Sequence, residues 1–228
     1  MIIGNGLIAT AFMGRDFESN PNVVIYASGV SNSKEVRSEA FLRERTMLAE
    51  AVASEKFICY FSTCSIHDRE LQDAPYVVHK KQMESLVKKA KNYAIFRLPQ
   101  VVGRTPNPHT LTNYIYDKIM HGDRFHVYKH AKRNLIDVDD VARIVSYLVC
   151  NASVNKITTD VATPFFISIP ALVNVFELVL NRKAHYDYVD AGGTYPVDIS
   201  LVIAVANQAD VKFDDMYIER LIRKYYGN

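Results

Sequence analysis

Between Met1 and Leu98 short apolar runs alternate with longer amphipathic stretches, and that alternation narrows the fold more than any other feature. Met1-Ile2-Ile3, Asn22 to Ala27, Phe57 to Phe61 and Tyr93 to Leu98 are rich in β-branched and aromatic residues. Near-continuous apolar runs of that length are what strands covered on both faces look like. The segments between them have helical periodicity. Leu7 to about Phe17 can continue as a helix, Ser33 to Ser54 carries Val36, Ala40, Met47, Leu48, Ala51 and Val52 on one side, and Ala74 to Lys91 starts behind Pro75. Proline suits the first helical turn because its missing N–H has no partner there in any case. Strand, helix, parallel strand is a right-handed crossover, and its repetition builds a doubly wound parallel sheet. The expected fold class is therefore α/β.

The second half is less regular. Helices are expected from about Thr110 to Met120, over 139–150, from Ala171 to Leu180 behind Ser168-Ile169-Pro170, and from Asp214 to Tyr226. At 228 residues the chain can hold one sizeable core plus a small lobe. Its 27 basic and 25 acidic residues are spread evenly, which argues against nucleic acid or an anionic membrane surface as partner. The basic stretch from Lys80-Lys81 to Lys91 reads as the solvated face of a helix. Cys59, Cys64 and Cys150 form neither a disulfide framework nor a metal-ligand spacing, and no leader or membrane span is visible. A cytoplasmic protein is the expectation. His121, His126 and His130 read as solvated loop residues, and no metal is expected.

Two motifs bear chemistry. Gly4 and Gly6 sit where a strand turns into a helix, so the backbone there can approach a pyrophosphate closely; Ala9 stands at the third position of the pattern. Tyr76 and Lys80 stand four apart on a helix, hence on one face, and a strand ending in Ser62-Thr63 precedes them. An ammonium beside a phenol favours the phenolate, which readies the phenol to exchange a proton.

In that order these segments resemble the extended short-chain dehydrogenase/reductases, the NAD-dependent epimerase/dehydratase group of nucleotide-sugar epimerases, dehydratases and 4-ketoreductases. Val23 to Ser28 resembles the strand whose small residues line the cofactor, and Phe57 to Thr63 the strand that ends in the catalytic hydroxyl. Tyr76 to Glu84 matches the Y-x-x-x-K-x-x-x-E run, Ile95 to Pro99 with Val101-Val102-Gly103 the strand and loop that follow, and Asn134 to Ala142 the late V-x-D-v-a segment. The resemblance implies a Rossmann-like core at 1–104 and 133–160 and a small substrate-binding lobe at 105–132 and 161–228. It implies NAD or NADP as cofactor, a nucleotide sugar as substrate, and a homodimer. Thr63, Tyr76 and Lys80 would be catalytic. Gly4, Gly6, Leu7, Ile8, Ala27, Ser28, Gly29, Pro99 and Val102 would line the cofactor together with Tyr76 and Lys80, while Ser65 and Arg133 would face the substrate.

The chain departs from the family pattern in three places. The stretch between the glycine turn and Val23 is too short for the two strands the family places there. If Val23 to Ala27 is the fourth family strand, the adenosine half of the sheet is missing and the glycine-turn strand lies at an edge; if it is the second, Ser28, Ser31, Ser33 and Lys34 would suit a 2′-phosphate. The gap of twelve residues between Thr63 and Tyr76 is about half the family's, which would open the substrate pocket. Cys64 and Ser65 replace the Asp-Glu pair of 4,6-dehydratases, which leaves an epimerase or a ketoreductase. The shortened core also leaves room for a non-catalytic dinucleotide or sugar-nucleotide binder or subunit.

Overall fold

The computed structural model describes residues 1–15, 20–151 and 154–227. Five parallel strands lie in the order β1 (Ile2–Ile3), β2 (Val23–Tyr26), β3 (Phe57–Thr63), β4 (Asn92–Leu98) and β8 (Ile157–Asp160). Successive side chains of a strand point to opposite faces, and here both faces are covered. Val23, Ile25, Cys59 and Phe61 pack with Phe12 of α1 (Leu7–Phe12) and with Val141, Val145 and Leu148 of α5 (Val138–Cys150). Their neighbours Val24, Tyr26, Ile58 and Tyr60 pack on the other face with Leu48 and Ala51 of α2 (Ser38–Ala53) and with Met83 and Val87 of α3 (Pro75–Val87). This is the expected doubly wound α/β sheet, Rossmann-like in its parallel crossovers.

The strand order decides between the two readings of Val23 to Ala27. β2 lies between β1 and β3, and β1 pairs with β2 alone among the described strands. The glycine-turn strand is thus the sheet's edge, as the missing adenosine half requires.

A second apolar cluster gathers Ile115 and Ile119 of α4 (Leu111–His121), Leu172 and Phe176 of α6 (Ile169–Leu180), and Leu221 and Ile222 of α8 (Tyr217–Tyr226). It is bounded by short strands that sequence periodicity did not predict. These are β5 (Gln100–Val102), β7 (Lys132–Asp137) and β9 (Phe166–Ser168) in one sheet, and β6 (Arg124–Tyr128) paired with β10 (His185–Val189) in another. α7 (Ser200–Val205) lies with the main core through Val202 and Val205. Buried polar contacts pin α8 on the head of α5: the Tyr217 hydroxyl donates to Asp140 at 2.8 Å and accepts from the Asp137 amide at 3.0 Å.

Several helices are shorter than predicted. α1 stops at Phe12, and Phe17 lies outside the described residues. α2 begins at Ser38, so Val36 precedes it and is 71% exposed. α3 ends at Val87, and Lys88, Lys89 and Lys91 lie beyond it. Among the described residues no helix is long and apolar enough to cross a membrane.

Candidate active site

All five strands of the main sheet point their C-terminal ends the same way, and a cleft of about 1120 Å³ opens there. Crevices of this kind, outside the carboxyl ends of parallel strands, are where α/β sheets bind ligands. Gly6, Leu7 and Ile8 line it from the glycine turn, and Ala27, Ser28 and Gly29 from the end of β2. Thr63 and Ser65 line it from the end of β3, Tyr76 and Lys80 from α3, and Pro99 from the loop after β4. Residues far apart in sequence thus converge because each follows a strand end or heads a helix.

Gly4 does not line the cleft, yet the turn depends on it. Its φ is +127°, and a Cβ there would stand 2.5 Å from the Ala27 carbonyl oxygen. That closeness lets β1 and β2 run side by side into the cleft. At Gly6 a Cβ would meet no atom within 4 Å, so the space above it belongs to the cleft. α1 is only six residues long, so close approach of the backbone, rather than a long helix dipole, is what this turn offers a phosphate.

Tyr76 is 9% exposed, and among the described residues its hydroxyl has no hydrogen-bond partner in the protein. A buried phenol normally finds such a partner; this one lines the cleft instead. Thr63 ends β3 with its hydroxyl accepting the Ser65 amide at 3.1 Å, which fixes the turn into the next segment. The Lys80 ammonium lies 5.9 Å from the Tyr76 ring centroid.

Lys80 is not the solvated residue expected from the basic stretch, nor does it pair with Glu84. It is 3% exposed, and Nζ donates to Glu44 Oε1 at 2.9 Å and to the Tyr60 hydroxyl at 3.2 Å. Glu84 instead takes both arms of Arg97, at 2.8 Å each. Glu44, on α2, has 0% exposure and is the residue that sequence reasoning missed. Its Oε1 accepts from Lys80 and, at 2.7 Å, from Tyr60; its Oε2 accepts the Val30 amide at 2.7 Å and His79 Nε2 at 3.0 Å. A carboxylate only accepts, so Nε2 carries the proton of that histidine contact.

Burial works to raise the Glu44 carboxyl. The Lys80 ammonium, His79, the Val30 amide and Tyr60 outweigh it and hold the group at about 2, below the ordinary 4.5. The same burial, with Glu44 beside it, pushes the Tyr60 phenol well up. A carboxyl depressed by folding stabilises the fold fully above its unfolded value and loses that effect as pH falls through its folded value. Wild-type protein is therefore expected to lose up to about 3 kcal/mol through this group between pH 4.5 and about 2. Urea unfolding across that interval should show a shallower fall for Glu44→Gln, and equal slopes would remove Glu44 as the cause.

Two other expected residues lie away from the cleft. Val102 is 1% exposed and packs in the second apolar cluster. The Arg133 guanidinium donates to the carbonyls of Lys132 at 2.8 Å and Gly193 at 3.0 Å and does not line the cleft. Arg104, after β5, does line it and extends into an adjoining pocket with Tyr225. His121 contacts the Asp117 carbonyl and His130 contacts Asp190. No group of three metal-ligating side chains is found among the described residues.

The family model described as the NAD dependent epimerase/dehydratase family matches residues 15–160. That span holds Thr63, Tyr76 and Lys80, while the glycine turn lies before it. Among solved structures, UDP-glucuronic acid 4-epimerase from Bacillus cereus, in complex with UDP-glucuronic acid and NAD, has a TM-score of 0.71 at 16% identity, covering 90% of this chain and 74% of that one. The Bordetella bronchiseptica enzyme WbmH, in complex with NAD+, has a TM-score of 0.71 at 16% identity, covering 99% and 83%. RMD from Pseudomonas aeruginosa, complexed with NADPH, has a TM-score of 0.68 at 15% identity, covering 97% and 85%. At these identities the likeness is one of fold. No curated protein sequence matches the chain.

Proposed function

The chain belongs to the NAD-dependent epimerase/dehydratase family, and from that premise we propose that it moves hydride at carbon 4 of a nucleotide-linked sugar, as an epimerase or a 4-ketoreductase using NAD or NADP. One observation carries the reading: Tyr76, whose hydroxyl has no hydrogen-bond partner among the described residues, lines the same cleft as Gly6, Thr63 and Lys80. A nicotinamide bound there supplies the hydride acceptor or donor. The residues of the cleft fit such a group, since a Cβ at Gly6 would meet no atom within 4 Å and the backbone there lies open to the cleft.

Tyr76 holds or releases the proton of the sugar oxygen as carbon 4 is oxidised or reduced. Thr63 orients that oxygen through its hydroxyl, which can donate while it accepts from the Ser65 amide. Lys80 offers positive charge and a hydrogen bond beside the phenol, and Ser65 faces the sugar. Arg133 holds the carbonyls of Lys132 and Gly193 through Nη1 and has its other N–H donors for a substrate phosphate. Beyond β1 no described strand supports an adenosine, so the nicotinamide half of the cofactor makes most of the contacts. That edge is also what favours a second reading, a binder without catalysis.

The test is a panel of UDP-, dTDP- and GDP-hexoses incubated with the protein and NAD, read by proton NMR for the carbon-4 epimer. A parallel assay offers 4-keto sugar nucleotides with NADH or NADPH and follows cofactor oxidation. Conversion of at least one substrate is expected. Cofactor binding without any conversion would favour the binder; neither binding nor conversion would refute both.

A further inference from the structure

We propose that Glu44 is a positioning residue: it fixes the Lys80 ammonium under the cleft so that one N–H remains for the ribose of the cofactor. This rests on the reading above, in which a nicotinamide cofactor binds in the cleft that Lys80 lines. A lysine ammonium has three protons to donate. One goes to Glu44 Oε1 at 2.9 Å and a second to the Tyr60 hydroxyl at 3.2 Å. Lys80 still lines the cleft, and its third proton is the one left for it.

The holder is itself held. Four donors converge on Glu44, two on each oxygen: Lys80 and Tyr60 on one, His79 and the Val30 amide on the other. They come from α3, β3 and the segment after β2, so the carboxylate is located by three parts of the fold at once. Gly29 closes the last side, since a Cβ there would stand 2.7 Å from Lys80 Nζ and 3.0 Å from Glu44 Oε1. A flexible four-carbon side chain would otherwise have many places to put its charge. A buried ammonium also needs a counter-charge, and Glu44 provides it before any ligand arrives.

A purely structural role for Glu44 and a positioning role differ in how they couple to Lys80. Glutamine at position 44 keeps the volume but removes the counter-charge and one of the two acceptor oxygens shared by the four donors, so Lys80 is held less firmly. The experiment is a double-mutant cycle on NADH affinity, read by nicotinamide fluorescence, with Glu44→Gln, Lys80→Met and the double variant. Thermal unfolding of each checks the fold. Glu44→Gln is expected to weaken NADH about tenfold and Lys80→Met at least as much. The double variant should bind as Lys80→Met does, within about twofold, because Glu44 acts only through the lysine. Wild-type affinity in Glu44→Gln, or losses that multiply in the double variant, would overturn the proposal. If Lys80→Met does not fold, the crystal structure of Glu44→Gln decides. A displaced Lys80 Nζ supports positioning; an undisplaced Nζ alongside weakened NADH binding overturns it. Failure of the wild-type protein to bind NADH would instead strike the underlying functional reading.

Discussion

Tyr76→Phe is expected to lower turnover by about 10²- to 10⁴-fold, the range for loss of an acid/base group, while NADH affinity and thermal stability stay close to wild type. The separation of effects follows from geometry. The Tyr76 hydroxyl has no protein partner among the described residues, so deleting it strands no buried donor or acceptor. The ring stays packed beside Val77 and Val30. Only a group on a ligand would miss the oxygen. Steady-state kinetics on the substrate found by the hexose panel, with a melting curve alongside, measure both halves. Undiminished turnover would remove Tyr76 from the chemistry. A large drop in melting temperature would mean that the hydroxyl has a structural task the described contacts do not include.

Gly29→Val should have the second large effect, by a different route. The backbone at Gly29 is not in the left-handed region, so a side chain there is a matter of space alone. The space is taken by Lys80 Nζ and Glu44 Oε1. Valine would push the ammonium off its counter-ion, and separating a buried pair costs roughly 3–5 kcal/mol. The variant is therefore expected to lose that much stability in urea unfolding and to weaken NADH at least as much as Lys80→Met does. Gly29→Ala should show the same losses in smaller measure. A stable Gly29→Val protein with wild-type NADH affinity would mean that Lys80 has another place from which to serve the cleft.

Much of this architecture was legible in the sequence because parallel strands buried on both faces leave an obvious mark. Val23 to Tyr26, Phe57 to Thr63 and Asn92 to Leu98 are apolar almost throughout, and each was placed within two residues of its observed bounds. The spacing of Tyr76 and Lys80 was legible for the same reason: a motif within one helix carries its own geometry. Glu44 was harder, since its partners come from β3, α3 and the loop after β2, and no local pattern reports such convergence. A signal did exist. Ala40, Leu48 and Ala51 mark the inward side of α2, and Glu44 lies four residues from two of them, so a carboxylate stood on the buried stripe. An acid there implies a buried cation, and the reading of the basic stretch from Lys80 to Lys91 as one solvated face failed at Lys80, which the motif had placed in the site, while Lys88, Lys89 and Lys91 are exposed.

The short strands of the second half were not legible. β5 and β9 are three residues each, set by pairing with β7 rather than by any period of their own. Arg133 shows the limit of carrying a role over by position. Its place just before the late motif suggested that it would face the substrate, whereas its Nη1 donates to the carbonyls of Lys132 and Gly193 and the residue does not line the cleft.

Diffraction from crystals grown with NADH tests the central claim most directly. The nicotinamide ring is expected in the cleft between Thr63 and Pro99, its reactive carbon toward the Tyr76 hydroxyl and its ribose on Lys80, with the adenosine reaching past the β1 edge. A ring bound elsewhere, or crystals that exclude NADH at saturating concentration, would contradict it.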